Sequence, residues 1–387
     1  MARRGHGERP AERRGLSAER VFAAAEPATD TPRASLQHRL ARLTVPGDLV
    51  VPSPDGRLVC IACAHRCALP DGATGLCRAR FRAGDTLRVP YGYVAARRVM
   101  PIERNTIYHL RPGRLGLTFG MFGCDLRCPW CSNADISQAL RADDVAPPAV
   151  EPVSAAGLVQ EAVTAGCEAV VSAFNEPMIT AEWAFAVFTE ARRHELATAL
   201  VSDGNTTPEA LAYLRPVTDV FRVDLKAADP SHYDLVGGVR DAPLAALRVA
   251  RELGYWVEAV TMIVPGVNDD PGRLRDLASD LVTIDRDLPW HLNGFVPRYR
   301  MGDRPALSAA VLAAAAEVAY ACGLRYVYVG NVADRLSELS HTRCPGCYLE
   351  VVRRSNYRVL ARRLRDGCCP RCGLAIPGRW DERHSRA

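Results

Sequence analysis

The sequence predicts an α/β fold, a full or partial (β/α) TIM-like barrel with small cysteine-rich metal modules at both ends. From Leu115 onward, short apolar runs alternate with helical stretches, which is typical of a parallel sheet. Polar and charged residues follow several of these runs, at the strand ends where barrel active sites lie. Most of the 14 cysteines fall in closely spaced groups, before this region, after it and in one loop within it.

The alternating region predicts a series of strands with helices between them. The candidate strands are Leu115–Met121, Ala169–Phe174, Ala197–Ser202, Val220–Leu225, Val257–Val264, His291–Val296 and Tyr326–Val329. The candidate helices include Ala155–Ala165, Ala181–His194, Pro208–Leu214, Pro271–Thr283 and Ser308–Ala321. A chain of 387 residues is long enough for one such domain together with small modules.

We divide the chain into four parts. Residues 1–44 are rich in Arg, Ala, Glu and Pro and predict a disordered or loosely helical basic extension, in which Ala18–Ala25 can form a short helix. Residues 45–110 form an N-terminal four-cysteine module and its lead-in. Residues 111–340 form the barrel, and residues 341–387 form a C-terminal zinc-ribbon-like module.

Charge and apolar patterning exclude several classes of function. The net charge is +5, and residues 1–44 carry nine Arg against five acidic residues, which leaves the rest nearly neutral. Nucleic-acid binding is therefore not expected. The sequence has no run of about 18 apolar residues, so we expect no membrane span. Cysteines grouped in this way indicate metal or cluster ligation in a reducing compartment, and we expect a cytoplasmic location.

The loop Gly123–Asn133 predicts an iron–sulfur cluster. Cys124, Cys128 and Cys131 have a C-x3-C-x2-C spacing, with Trp130 just before the last cysteine. Three thiolates on so short a loop can bind three irons of a cubane and leave the fourth iron open to a small-molecule ligand. The alternative, structural zinc, needs four ligands, and no fourth Cys or His lies close by in the sequence.

Two further cysteine groups flank the barrel. The N-terminal group has the spacing C-x2-C-x3-C-x9-C, which suits either tetrahedral zinc or a second iron–sulfur cluster. The C-terminal group consists of two C-x2-C knuckles about twenty residues apart, the spacing of a zinc ribbon. The two groups are Cys60, Cys63, Cys67 and Cys77, and Cys344, Cys347, Cys369 and Cys372.

Lys226 is the single lysine among 49 basic side chains. An ammonium and a guanidinium differ in shape and hydration, so this position requires a lysine. Asp224 lies two residues earlier, and side chains two apart on a strand point to the same face. Both can therefore aim into the mouth of the barrel.

The cluster loop resembles that of the radical S-adenosylmethionine (radical SAM) enzymes, in which the open iron binds the amino and carboxylate groups of SAM. The order of motifs is similar to that of the radical SAM protein of the AmmeMemoRadiSam system, a relative of the pyruvate formate-lyase activating enzymes. The resemblance rests on the segments CIACAHRC, PIERNTIYHLRPG, GCDLRCPWCSNADISQ, FNEPMI, VSDGNTTPEAL, VDLKA, YWVEAVTMIVPGVNDD, PWHLNGFVPRYRM, and CPGC with CPRCGLAIPGRW. The long N-terminal head departs from the family.

The resemblance implies a barrel of the radical SAM type and a set of SAM contacts. Glu176, with Asn175 beside it, would accept hydrogen bonds from the SAM ammonium. Asp224 and Lys226 match an Asp-x-Lys element that meets SAM, with the lysine on the carboxylate. Ser202 would meet the ribose or the methionine carboxylate.

Two aromatic side chains complete this implied set. Trp130 would pack against the adenine or support the loop, and His291 would reach the ribose or the adenine. A lone histidine is also often structural, so His291 has that alternative too.

The resemblance implies an enzyme that uses a [4Fe-4S] cluster and SAM, while zinc in the outer modules is the expectation from their cysteine spacing, with a second cluster as the alternative in the N-terminal group. Reductive cleavage of SAM would yield a 5′-deoxyadenosyl radical that abstracts hydrogen from an unidentified substrate, a small molecule or a protein. A flavodoxin- or ferredoxin-like protein would supply the electron. One alternative is an activating enzyme that installs a glycyl radical on a partner protein. Another, of a different class, is a non-catalytic metal-binding adaptor.

Overall fold

The computed structural model describes residues 32–227, 229, 231–331 and 334–380. Within these residues, the N-terminal region consists of one helix and several short strands. They are α1 (Pro32–Ala41), β1 (Thr44–Pro46), β2 (Val50–Pro52), β3 (Leu58–Cys60), β4 (Ala68–Leu69), β5 (Phe81–Ala83), β6 (Thr86–Pro90) and β7 (Tyr93–Val94). Strands β1, β6 and β5 form one antiparallel sheet, and β2, β3 and β4 form another. The short helix predicted at Ala18–Ala25 lies outside the described residues.

An eight-stranded sheet follows and forms the centre of the structure. The strands after β7 are β8 (Ala96–Pro101), β9 (Leu115–Gly120), β10 (Glu151–Pro152), β11 (Ala169–Ser172), β12 (Ala197–Ser202), β13 (Val220–Asp224), β14 (Trp256–Ile263), β15 (Trp290–Gly294) and β16 (Val327–Gly330). The spatial order of the large sheet is β16-β15-β14-β13-β12-β11-β9-β8, and β10 pairs with β7 instead. All neighbours in the large sheet are parallel except β8 and β9.

Helices connect the parallel strands in the βα order that the sequence predicts. They are α2 (Ala134–Ser137), α3 (Ala155–Thr164), α4 (Ala181–Arg193), α5 (Pro208–Leu214), α6 (His232–Val236), α7 (Ala242–Glu252), α8 (Pro271–Asp285) and α9 (Ala309–Ala321). Ser154, Thr207 and Asp270 cap the starts of α3, α5 and α8, because each side chain accepts a backbone N–H of the first turn. Helices α6 and α7 were not among the predicted ones.

The barrel is partial. Each of the seven predicted strands corresponds to a parallel strand of the sheet, with ends that agree within two residues. The sheet does not close, because β16 and β8 are its two edges and do not pair with each other. The prediction of a full or partial barrel is therefore confirmed in its partial form.

Alternating side chains separate an outer core from an inner one. Val170 and Leu200 face the helices and belong to the large core that these helices cover. Their neighbours Ala169, Val171 and Ala199 face the interior of the barrel and belong to a separate, smaller cluster. Small inward side chains allow the strands to curve around a narrow interior.

A buried ion pair ties the N-terminal region to the barrel. Arg80 donates to both carboxylate oxygens of Glu182 in α4, at 2.7 and 2.8 Å, and both side chains are almost fully buried. Glu182 also accepts the backbone amides of Asp48 and Leu49. Because the carboxylate is paired and hydrogen-bonded, its burial is compensated.

The C-terminal module packs against the end of the barrel at which the parallel strands begin, which we call its lower end. It contains β17 (Thr342–Arg343), β18 (Glu350–Ser355) and β19 (Arg358–Arg362), which form a three-stranded sheet. Arg354 of β18 donates to the carbonyl of Tyr108 at 2.7 Å and to Thr342 at 2.8 Å. The four-part division of the chain stays a prediction.

Glu258 lies at the centre of a set of buried polar residues at the end of the barrel that contacts the C-terminal module. Its carboxylate accepts the amides of Tyr108 and His109, each at 2.9 Å, and the indole N–H of Trp256 at 3.0 Å. His291 Nε2 lies 2.7 Å from it. We call the set Tyr108, His109, Trp256, Glu258, His291, Tyr328 and Arg354 the barrel floor.

None of the helices in the described part of the chain is long and apolar enough to span a membrane.

Candidate active site

A cavity of about 320 Å³ lies at the carboxyl ends of the parallel strands. We call it the central cavity. Its walls come mainly from the last residues of β12 and β13 and from the residues that follow β9, β11 and β13, where active sites of such barrels lie. All the predicted cluster and cofactor residues except His291 line it, namely Cys124, Cys128, Trp130, Cys131, Asn175, Glu176, Ser202, Asp224 and Lys226.

The loop between β9 and α2 carries the three cysteines. Its backbone is held at Leu126, whose carbonyl accepts Gln138 Nε2 at 3.1 Å and Arg141 Nη1 at 2.6 Å. Burial raises the pKa of Cys124 well above its usual value and that of Cys128 to about 12. These thiols therefore need a positively charged centre to become thiolates, and the irons of a cluster supply that charge. Three thiols on one cavity wall fit the cluster that the spacing predicts.

Strand β13 and the residues after it place three charged side chains inside the barrel. Lys226 Nζ donates to Asp224 Oδ2 at 2.8 Å, and Arg222 Nη1 lies 3.5 Å from the same oxygen. Burial alone would lower the pKa of Lys226, but Asp224 raises it above its usual value. Burial would raise the pKa of Asp224, but Lys226 and Arg222 lower it. Both groups therefore stay charged.

Asp224 also offers an unused acceptor. Its Oδ1 is buried and has no hydrogen-bond partner among the described residues. A buried carboxylate oxygen without a partner is unfavourable unless a ligand satisfies it. This atom therefore indicates a ligand with a hydrogen-bond donor in the central cavity.

Glu176 is held in the opposite wall by three donors. Its Oε1 accepts the amide of Met178 at 3.0 Å and the hydroxyl of Ser202 at 2.9 Å, and its Oε2 accepts the amide of Asp203 at 2.8 Å. Burial and the nearby charge of Asp125 nevertheless raise its pKa to about 7. A cationic ligand beside it would favour the charged form.

The segment before Glu176 has a constrained backbone. Phe174 adopts a positive φ of 71°. Gly120 lies opposite, where an added Cβ would come within 2.4 Å of the carbonyl oxygen of Ala173. Asn175 completes the turn, because its Oδ1 accepts the amide of Met121 at 2.9 Å. Only glycine allows this close approach of the two strands.

Three charged residues of this site were missing from the predicted set. Arg222 lies two residues before Asp224, so the period of two along the strand was a sufficient signal for it. Asp203 and Asp125 have carboxylate oxygens within 4.8 Å of Cys124 Sγ and of each other. Asp125 lies in the cluster loop and accepts Asn205 Nδ2 at 2.6 Å, a pairing that no local pattern indicates.

His291 lies in the barrel floor and does not line the central cavity. It is the second residue of β15 and therefore lies near the amino end of the strand, whereas the cavity is at the carboxyl ends. Its ring packs edge-on against Tyr108, with 4.6 Å between the ring centres. Burial lowers its pKa. These contacts are those of a structural histidine. We therefore do not include a direct contact between His291 and SAM in our proposal.

The four C-terminal cysteines converge on one point. Cys344 Sγ lies 3.5 Å from Cys372 Sγ, and Cys347 Sγ lies 3.5 Å from Cys369 Sγ. All four sulfurs lie within 4.8 Å of one another, as a shared metal ion requires. The N-terminal cysteines lie beside the cluster loop, since an added Cβ on Gly123 would lie 3.1 Å from the carbonyl oxygen of Cys77.

A family model described as the radical SAM superfamily matches residues 119–278. This range begins in β9 and ends in α8, so it includes the cluster loop, Glu176 and Lys226.

Similar proteins cover more of the chain at low identity. An uncharacterized protein of Methanocaldococcus jannaschii is 27% identical over 326 residues, which are 83% of this chain and 96% of that protein. The crystal structure of a domain of pyruvate-formate lyase-activating enzyme from Bacteroides vulgatus is 18% identical, with a TM-score of 0.37, and the match covers 42% of this chain and 99% of that one. A radical SAM methyltransferase from Sphaerobacter thermophilus is 15% identical, with a TM-score of 0.44, over 78% of this chain and 83% of that one.

Proposed function

We propose a function from the premise that this protein is a radical SAM enzyme, with its radical SAM domain at residues 119–278. It cleaves S-adenosylmethionine reductively and uses the resulting 5′-deoxyadenosyl radical to remove hydrogen from a substrate. A [4Fe-4S] cluster on Cys124, Cys128 and Cys131 supplies the electron when it is bound. The observation that carries the proposal is that these thiols share one cavity with Lys226 and Glu176.

Lys226 binds the carboxylate of SAM. Its ammonium is permanently charged because Asp224 stands beside it. Asp224 is itself held by Arg222, whose Nε and Nη2 donate to Thr106 Oγ1 at 3.0 and 2.7 Å. The ammonium is therefore positioned before SAM arrives, which reduces the entropy that binding must remove.

Glu176 accepts the ammonium of SAM. A carboxylate has about four acceptor sites, and protein donors occupy three of those on Glu176. One site is left for the ligand. The positive charge of SAM lowers the pKa of Glu176 from about 7, so binding and deprotonation are coupled.

Apolar side chains exclude water around the cluster loop. Leu126, Trp130, Val264, Phe295 and Met301 are buried in one cluster that includes Cys128. An apolar wall excludes water and therefore strengthens the electrostatic contacts inside the cavity. Trp130 lines the central cavity and belongs to this cluster, which agrees with either role implied for it.

The electron donor docks at an arginine-lined cleft of about 760 Å³. Arg33, Arg78, Arg127 and Arg141 line this cleft, and Asp125 is the acidic residue among its described lining. Asp125 and Arg127 belong to the cluster loop itself. A flavodoxin- or ferredoxin-like protein with an acidic face has the complementary charge and would bring its redox centre close to the cluster.

The substrate is a small molecule or a partner protein. The resemblance to activating enzymes supports hydrogen abstraction from a glycine of a partner, but a fold relationship does not fix a reaction. Membership of the AmmeMemoRadiSam system is likewise part of the proposal. Size fractions of a cell extract separate the two classes, since a protein substrate would stimulate SAM cleavage only from a protease-sensitive, high-mass fraction.

The proposal is tested by assaying 5′-deoxyadenosine after anaerobic reconstitution with iron and sulfide, reduction and addition of SAM. We expect product from the wild type and from Cys322→Ala, a cysteine far from the cluster loop in sequence. We expect none from Cys128→Ala. Absence of product from a wild-type protein with a reduced cluster, even with the stimulating extract fraction, would contradict the proposal and favour the adaptor.

A further inference from the structure

The two outer cysteine groups differ in how far apart their sulfurs lie. A zinc ion with bonds to sulfur of about 2.3 Å holds four tetrahedral sulfurs about 3.8 Å apart. The C-terminal group has this spacing, with two pairs at 3.5 Å and all four sulfurs within 4.8 Å. Its geometry is that of a single metal ion.

The N-terminal group does not have that spacing. Among Cys60, Cys63, Cys67 and Cys77, all of which the structure describes, no three sulfurs lie within 4.8 Å of one another. The same holds for the three described cysteines of the cluster loop. Ligands on different irons of a cubane stand farther apart than ligands on one ion, because the irons themselves are separated. The N-terminal group and the cluster loop therefore both lack the close spacing of the C-terminal group.

A glycine lies beside two of these sulfurs. An added Cβ on Gly75 would lie 3.7 Å from Cys67 Sγ and 3.7 Å from Cys77 Sγ. Cys60, Cys63 and Cys77 are buried. A larger residue at position 75 would therefore press on the sulfurs of Cys67 and Cys77.

The N-terminal group also lies directly behind the cluster loop. One guanidinium, that of Arg141, donates to the carbonyl of Leu76 in the N-terminal group and to that of Leu126 in the loop. An added Cβ on Gly123, the residue before Cys124, would lie 3.1 Å from the carbonyl oxygen of Cys77. The amide of Ala64 donates to Asn205 O at 3.0 Å, so the group contacts the β12–α5 connection as well.

We infer that Cys60, Cys63, Cys67 and Cys77 bind a second iron–sulfur cluster, which passes electrons to the cluster at the loop. A one-electron carrier protein reduces the second cluster, and the same electron then moves on to the first cluster without any bond being formed or broken. Four protein ligands leave no iron open, so this cluster binds no SAM. The relay rests on the proposed function, whereas the presence of the cluster does not.

The first test removes the cluster loop and asks what metal remains. In the full chain with Cys124→Ala, Cys128→Ala and Cys131→Ala, we expect about four iron and four sulfide per chain and an electron paramagnetic resonance signal that SAM does not change. Cys344→Ser with Cys372→Ser should lose zinc and keep all iron. A triple variant with zinc or no metal in place of that iron would overturn the inference, whatever the wild type does with SAM.

A second variant leaves all ligands in place. Gly75→Val puts a side chain against the sulfurs of Cys67 and Cys77, and we expect about half of the iron to be lost while the SAM-sensitive signal remains. Gly84→Val is the control, because an added Cβ there contacts nothing, although its φ of 59° adds local strain. Full iron content in Gly75→Val would contradict the site.

The relay is tested with two reductants. In Gly75→Val, dithionite should still support formation of 5′-deoxyadenosine, whereas reduction by an acidic flavodoxin should be at least tenfold slower than in the wild type. An equal rate with flavodoxin would overturn the relay. Loss of product with both reductants, in protein that keeps the SAM-sensitive signal, would count against the proposed function itself.

Discussion

The central cavity and the barrel floor contain similar charged groups in the same barrel, but only the floor has a carboxylate that protein donors satisfy fully. Glu258 in the floor accepts four donors, and although burial would raise its pKa, the hydrogen bond from His291 helps to lower it to about 2. In the cavity, burial raises the pKa of Glu176 to about 7, and one oxygen of Asp224 has no partner among the described residues. The charged groups of the floor therefore stabilise the fold, whereas those of the cavity are suited to bind a ligand.

The largest expected effect is on stability and lies in the floor. Glu258→Gln should lower the free energy of unfolding by about 3 kcal/mol, because a fully buried, four-fold bonded carboxylate is replaced by an amide that cannot accept all four donors. Urea unfolding at pH 7 measures it. Glu176→Gln is the matched variant in the cavity. A loss of stability as large as that of Glu258→Gln would contradict the claim that only the floor carboxylate supports the fold.

The pH dependence of stability should differ in sign between the two carboxylates. Glu176 has a folded pKa of about 7 against an ordinary 4.5, so its contribution is full below 4.5 and is lost as the pH rises through 7, by about 3 kcal/mol. The contribution of Glu258 is present above 4.5 and is lost as the pH falls towards 2. Between pH 5 and 7.5, Glu176→Gln should flatten the decline in stability. An unchanged slope would contradict this assignment.

A smaller effect is expected on ligand affinity in the cavity. Lys226→Arg should weaken SAM binding about tenfold, or about 1.4 kcal/mol, while the iron content stays unchanged. A planar guanidinium cannot replace the ammonium that Asp224 fixes. Isothermal titration of the reconstituted protein measures this, and wild-type affinity would remove Lys226 from the site.

The smallest expected effect is on SAM affinity and concerns His291, a residue of the barrel floor. His291→Asn should lower the unfolding temperature but leave the SAM affinity within about twofold, since His291 contacts Glu258 and not the cavity. A tenfold loss of affinity in folded protein would return His291 to the SAM site.

Much of the fold was predictable because its signal is local. Apolar runs gave the seven parallel strands, and the residues directly after them gave Glu176 and Lys226. The predicted SAM contact of His291 stays a prediction, but His291 is only the second residue of β15, whereas the cavity lies where strands end. Position within the strand, and not residue type, separates a floor residue from a cavity residue.

The remaining features depend on partners far away in the sequence. Glu258 accepts the amide of Tyr108, 150 residues earlier, and Arg80 pairs with Glu182, 102 residues later. Neither partner is indicated by a motif or a period, because these contacts arise only after the sheet has curved. The separation of the N-terminal sulfurs is also a property of three-dimensional distance, so the spacing C-x2-C-x3-C-x9-C left both zinc and a second cluster open.

The bond between Arg354 and the carbonyl of Tyr108 spans 246 residues. During synthesis, the barrel strands leave the ribosome well before Arg354 does, so the underside of the barrel is finished only after the last strand pair is made. The underside of the barrel is therefore closed by a segment that is synthesised after all eight strands of the large sheet.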